Sequence, residues 1–217
     1  MLDTVLEYTK TLKFEVDVKR ISLSDRKVEP CIGCLACYKN GGRCVLKDGF
    51  EDIRQLWKWA DCILYCTPVY VAGIPGQLKC LFDRLSNADY GLEIRGARHM
   101  KTIGAISQGG DFFGGGAELC MADIMRHAAM NCVYIPPDTS YIGSGGWVWD
   151  SHGNAMKEKA GLMTEDYRLT LETAHSIIQR SVEMAAIIRS GCADLRDDLM
   201  EDAAYQYYFE KADALEE

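Results

Sequence analysis

The chain has 217 residues, a formal net charge of −8, 48% hydrophobic residues and ten cysteines. That length buries a full core as one domain with a tail, and the acidic balance excludes a general nucleic-acid surface, which needs a basic stripe. Ten cysteines spread over such a chain are not the dense framework of a small secreted domain. No charged-then-apolar leader stands at the start. The longest apolar stretch, Cys62 to Pro75, is too short and too interrupted to cross a bilayer. A cytoplasmic, reducing setting is therefore expected, with no membrane partner.

In chain order, residues 2–11 read as a short helix. Phe14 to Leu23 alternates apolar and polar with period two, which predicts a strand with one buried face. A cysteine-rich loop follows. Asp48 then stands where it can cap a helix over 50–59, with Phe50, Ile53, Leu56, Trp57 and Ala60 on one side. Cys62-Ile-Leu-Tyr-Cys66 is an unbroken apolar run ending at Thr67-Pro68, the mark of a strand covered on both faces. Pro75 opens another helix in its first turn. Thr102 to Ile106 predicts the next buried strand, 116–130 a helix, and Cys132 to Ile135 a further strand. The connection 136–163, with Tyr141, Gly145, Gly146, Trp147 and Trp149, is too long for a simple link and reads as a lid or an oligomer contact. A helix over 165–190 closes the domain, and an acidic tail with Tyr205, Tyr207, Tyr208 and Phe209 reads as a peripheral helix or partner contact.

The cysteine loop carries the strongest chemical signal. Cys31, Cys34 and Cys37 stand at i, i+3 and i+6, and Cys44 returns after a Gly41-Gly42 turn. Such spacing wraps several thiolates round one small volume, which suits a [4Fe-4S] cubane. Zinc usually takes two separated C-x2-C pairs, and four unligated cysteines are the remaining alternative. The other six cysteines read as small buried hydrophobes or carry no assigned chemistry.

Steady alternation of strand and helix predicts an α/β fold, an open, doubly wound parallel sheet in three layers with a helical carboxyl-terminal tail. The expected division is a domain over 1–190, with the cysteine loop at 30–48, and a tail over 191–217. Ligands of such sheets sit beyond the carboxyl ends of the strands. The loops there are Thr67–Gly76, Ser107–Gly116 and Pro136–Trp149, where backbone amides can approach a planar, polar-edged ring that Tyr70, Phe112 or Trp147 would cover. No G-x-G-x-x-G fingerprint is present, so a nicotinamide donor must dock over that ring or be replaced by a ferredoxin-like protein. His99, His127, His152 and His175 have no partner set for a metal site or triad. Asp83 and Arg84 read as a structural ion pair or helix cap.

Pro30 through Cys37, Cys44 to Asp48, Ala60-Asp61 into Thr67-Pro68-Val69-Tyr70, Pro75 to Lys79 with Asp83-Arg84, and Gly114 to Glu118 together resemble the iron–sulfur flavoprotein branch of the NADPH-dependent FMN reductase family. The resemblance implies a flavodoxin-like fold and FMN held by Thr67, Pro68, Val69, Tyr70 and Gly73 with Ser107, Gln108, Gly109 and Gly110. It implies a [4Fe-4S] cluster on Cys31, Cys34, Cys37 and Cys44, and homodimers or homotetramers in which the cluster of one subunit meets the flavin of another. The activity implied is an oxidoreductase passing electrons between NAD(P)H or ferredoxin, FMN, the cluster and a small acceptor. No residue is assigned a general acid or base role.

One feature departs from that family pattern. Its members begin with an apolar strand and a Ser/Thr/Asn-rich loop that holds the FMN phosphate at a helix N-terminus, whereas Met1 falls near the end of that loop. Three alternatives follow: a longer parent chain, direct pairing of strand 13–22 with strand 62–66, or loss of phosphate binding. They leave two further functions open, a cluster-only electron carrier or redox sensor and a cluster-free FMN reductase. A zinc-stapled binding module is the third class.

Overall fold

The structure, a computed structural model, describes residues 6–90, 97–108, 116–129, 131–136 and 160–216. A helical turn at 6–8 continues into a 3-10 turn over Thr9–Thr11. The helices are α1 (Phe50–Trp59), α2 (Gly76–Tyr90), α3 (Ala117–Ala128), α4 (Ala160–Asp194), α5 (Arg196–Met200) and α6 (Ala203–Glu216). The strands are β1 (Cys62–Pro68), β2 (Thr102–Gln108) and β3 (Val133–Tyr134). They pair in parallel in the order β1-β2-β3, with Cys62 opposite Thr102, Pro68 opposite Gln108, and Ile103 opposite Tyr134.

Period-two alternation sorts the sheet into its layers. Tyr65, Ile103 and Ala105 point into one core with Phe50, Ile53 and Trp57 of α1, Leu81, Phe82 and Leu85 of α2, and Met121 and Ile124 of α3. Leu64 and Ile106 point to the other face, where Ala174, Ile177 and Ile178 of α4 cover them. Gly104 permits that contact. A methyl there would stand 2.8 Å from Ser181 Oγ and 3.0 Å from Leu64 Cδ1, so α4 lies on β2 because the strand lacks a side chain at that point. Helices on both faces of a parallel sheet give the three layers expected.

The first core also holds a short polar network. Trp57 Nε1 donates to the Tyr65 hydroxyl at 3.1 Å, and that hydroxyl pairs with His127 Nε2 at 3.1 Å. His127 stacks on Phe82 with ring centroids 4.0 Å apart, and burial depresses its pKa to about 4. This histidine is a neutral core group. Cys66 departs from expectation: it is exposed, while Cys62 and Cys132 are half-buried.

The predicted strand over 14–23 does not form. The segment is irregular, and Phe14 and Val18 are each 43% exposed. Alternating side chains define a face, but a strand exists only where a neighbour supplies its ladder of hydrogen bonds. Among the described residues no strand lies between this segment and β1. The amino-terminal helical turns fill 6–11, the described part of the expected 2–11, and α4 extends past 190 to Asp194. Most of the long connection, 137–159, lies outside the described residues, and with it Tyr141, Trp147 and Trp149.

The acidic tail folds back on the body. Tyr208 and Phe209 bury against Cys192, Arg98 N–H donates to Ala204 O at 2.7 Å, and Lys211 Nζ reaches Asp61 at 2.9 Å. Lys101 enters the same region from the sheet. It is almost fully buried and donates to the carbonyls of Trp57, Lys58 (3.3 Å) and Ala60 (2.9 Å) at the carboxyl end of α1.

Candidate functional site: a thiol pocket and a flavin-type loop pair

Cys31, Cys34, Cys37 and Cys44 line one pocket of about 30 Å³. None of the four is in a disulfide; Cys31 and Cys34 are exposed, Cys37 and Cys44 half-buried. Local backbone explains how so short a stretch curls round a common space. Gly33 and Leu35 take φ of +65° and +56°, and the Ala36–Lys39 turn follows. Gly42 N–H and Asn40 N–H both return to Cys37 O, at 2.9 and 3.2 Å, so the chain reverses before Cys44. Burial raises the Cys37 thiol pKa above its ordinary value, opposed by the Cys37 and Tyr38 amides, and nearby Cys44 and Cys31 add to the rise. The thiols therefore sense one another electrostatically.

The base of the loop is clasped by charge. Asp48 accepts from Glu29 N–H at 2.8 Å and from Phe50 N–H at 3.1 Å, so one carboxylate ties both ends of the loop and takes up the first N–H of α1 from the position before its N-cap, Gly49. Arg84 of α2 donates through Nη1 to the same carboxylate and to Glu29 O at 3.2 Å. Burial works against the Asp48 charge, but Arg84 and the two amides outweigh it and hold the carboxyl below the usual range. Arg84, Asn87 and Ala88 also form the pocket wall opposite the thiols, and Asn87 Nδ2 lies 3.9 Å from Cys31 Sγ. The expected Asp83–Arg84 pair is thus two pairs: Asp83 binds Lys79 one turn earlier, and Arg84 binds Asp48. Neighbours on a helix point about 100° apart, so they reach different partners. The wall residues at i, i+3 and i+4 were the signal available to sequence reasoning, which assigned them no place at the thiols.

The second element of the site lies at the carboxyl ends of the strands. Thr67 sits beside Ser107 and Pro68 beside Gln108 in the parallel ladder, so the loops after β1 and β2 leave the sheet side by side. Thr67 is buried, with its hydroxyl on Pro68 O at 3.1 Å. Tyr70 and Gly73 exchange backbone hydrogen bonds of 2.9 and 3.1 Å, closing a tight turn in which Val71 and Ala72 take φ of +49° and +59°. Tyr70 and Val71 project into solvent, Val69 is half-buried, and Pro68 is exposed. Ser107 is fully buried, with its side chain beside Cys120. Gly109 and Gly110 lie outside the described residues. Gly116, at φ +98°, seats the turn: a methyl there would stand 2.5 Å from Ala72 Cα.

The thiol pocket and this loop pair occupy opposite ends of α2. The helix leaves the β1 loop at Gly76 and reaches the pocket at Asn87, roughly 16 Å further along at 1.5 Å per residue.

The family model of the NADPH-dependent FMN reductases matches residues 1–146. The chain belongs to this family. An iron-sulfur flavoprotein of Methanocaldococcus jannaschii is 29% identical over 80% of the chain and 83% of its own length. One of Archaeoglobus fulgidus is 31% identical over 67% of the chain and 74% of its own, which places the chain in the iron–sulfur flavoprotein branch. Among solved structures, a flavone reductase superposes with a TM-score of 0.52 at 16% identity, covering 87% of this chain and 58% of that one. That likeness supports the flavodoxin-like architecture alone. As a family member the chain is a flavin oxidoreductase with FMN as its flavin, and no described helix is long and apolar enough to cross a membrane.

Proposed function

We propose that the protein is an iron–sulfur flavoprotein that passes electrons between a reduced donor, NAD(P)H or a ferredoxin, FMN and a [4Fe-4S] cluster, and onward to a small acceptor. The single observation that carries the reading is the convergence of four thiols from one short stretch on one pocket. Among the described residues no three His, Cys, Asp or Glu side chains meet closely enough for a single metal ion. A cubane presents a separate iron to each ligand, so its sulfurs stand round a volume rather than about a point. Cys31, Cys34, Cys37 and Cys44 would hold it.

FMN supplies two-electron chemistry and the cluster one-electron chemistry, so a protein holding both can split or combine electron pairs. The chain's own part is to bind and orient. The 67–73 turn and the end of β2 would present backbone groups to the flavin edge, with Thr67, Pro68, Val69, Tyr70 and Gly73 on one side and Ser107, Gln108, Gly109 and Gly110 on the other. Tyr70, free of the core, would lie against the ring.

The separation along α2 supports a homodimer or homotetramer in which the thiol pocket of one subunit adjoins the loop pair of another. Ile32 (64% exposed), Leu35 and Val45 line the pocket with exposed apolar surface that such a contact would cover, and Tyr38 is exposed on the same loop. A cytoplasmic location suits reduced thiols.

Anaerobic purification followed by iron, sulfide and flavin assays tests the reading. Iron and sulfide near four per chain with bound FMN are expected, and Cys37→Ala should lose the iron while keeping the flavin. Zinc in a colourless protein, or flavin with no iron under anaerobic reconstitution, would sink the cluster.

A further inference from the structure

Arg84 is the one formally charged side chain among the described residues that line the thiol pocket. It is 1% exposed. Its Nη1 serves Asp48 and Glu29 O, and its guanidinium lies 4.2 Å from the centroid of Phe50. The Nε and Nη2 atoms, buried in the same way, have no hydrogen-bond partner among the described residues. A guanidinium carries one N–H on Nε and two on Nη2 and stays charged at any accessible pH. The clasp on the loop therefore uses one edge of the fork and leaves the other without an acceptor at hydrogen-bond geometry among the described residues. Cys44, a pocket thiol, stands beside it, close enough to favour the cation. Buried donors are paired in native proteins, and an unpaired group of this kind points to a missing acceptor.

Resting on the cluster reading above, we infer that Arg84 sets the reduction potential of the bound cluster: its Nε–Nη2 edge would donate to the Cys44 thiolate and bring its positive charge to the cluster. Hydrogen bonds to cluster sulfurs and nearby positive charge stabilise the reduced, more negative state and raise the potential. Burial strengthens the effect because little water screens it. Arg84 is thus a positioning residue that acts on the centre through Cys44 while holding the loop through Asp48. A purely structural arginine would need only the second contact.

The test compares wild type, Arg84→Lys and Arg84→Gln, each reconstituted anaerobically, by redox titration of the cluster followed by electron paramagnetic resonance. Lys keeps the charge but lacks the planar edge; Gln removes the charge. The potential should fall in Arg84→Lys and further in Arg84→Gln at equal iron and sulfide content. A tenfold loss in the reduced-to-oxidised ratio is expected for Gln, equal to about 59 mV for a one-electron couple. Loaded variants with the wild-type potential overturn the role of Arg84 and leave the cluster reading standing. A wild-type protein that takes up no iron and sulfide overturns both.

Should the variants fail to load, the wild type still decides. Protein carrying arginine labelled with 15N only in the guanidino group should show a nitrogen coupling to the reduced cluster, retained when the exposed neighbour Arg43 is changed to Lys. Absence of that coupling overturns the inference.

Discussion

The two loops proposed to carry the chemistry are held in different ways. The thiol loop, 29–48, touches the core at its base and is tied there by a buried carboxylate–guanidinium pair. The flavin-side turn, 67–73, holds no charged group in place; it is fixed by backbone lying on backbone at Gly116. The difference follows from what each must expose. A loop that offers four thiols round an open pocket has few side chains left to bury, so directional charge-assisted bonds anchor it. A turn proposed to offer its amides to a flat ring can be wedged from behind by packing alone.

The largest effect expected from breaking either anchor falls on the first. Asp48 and Arg84 are 9% and 1% exposed, and removing one partner of a buried pair strands the other charge. Asp48→Ala should lower the unfolding free energy by about 3–5 kcal/mol, seen as a lower denaturant midpoint at unchanged slope. Iron should be lost before FMN. A change under about 1 kcal/mol would mean that the loop is not held by this clasp.

Gly116→Ala attacks the other anchor. The φ of +98° is strained for any L side chain, and the new methyl meets Ala72 backbone at 2.5 Å, so the turn must move. A loss of about 2–3 kcal/mol is expected, the strained conformation supplying about 1–2 kcal/mol of it. FMN retention should fall while iron content stays at the wild-type level. Equal loss of both groups would erase the distinction between the loops.

How much of this was legible depends on the range over which each residue acts. The bounds of α1 and β1 were readable because Asp48 takes up the first N–H of α1, the Cys62 to Cys66 run is apolar, and each signal works within a few residues. The convergence of the cysteines was readable for the same reason. Arg84 was not: its partner Asp48 lies 36 positions away, and nothing local distinguishes it from Asp83 beside it. The segment from Phe14 to Leu23 was misread because alternation reports a face and not a neighbour. The tail's aromatic patch was visible as a sticky surface, but only the fold shows that Cys192 and the end of α4 lie against Phe209. Lys101 looked like an ordinary charge before a strand, since burial of an ammonium leaves no trace in its own sequence context.

That lysine extends the charge-held region to the far end of α1. Asp48 meets the amino terminus of the helix and Lys101 its carboxyl terminus, the sense the helix dipole favours at each end. Burial, then repulsion from Lys211, lowers the Lys101 pKa to about 7, against about 10.4 in an unfolded chain. Below pH 7 the group is protonated in both states and the penalty of burying its charge is fully present. Between about 7 and 10 the unfolded chain binds a proton that the folded one lacks, so stability rises with pH, by at most about 1.4 kcal/mol per unit. Across pH 7 to 9 the denaturant midpoint of wild type should gain on that of Lys101→Met, the difference isolating this rise from the opposite slope of the thiols whose pKa values burial raises. The variant should also be less stable at the upper end, where the neutral amine still donates to the α1 carbonyls. A wild-type profile parallel to that of Lys101→Met would mean that water or a counter-charge reaches Lys101, and that α1 is held by packing at this end as the 67–73 turn is.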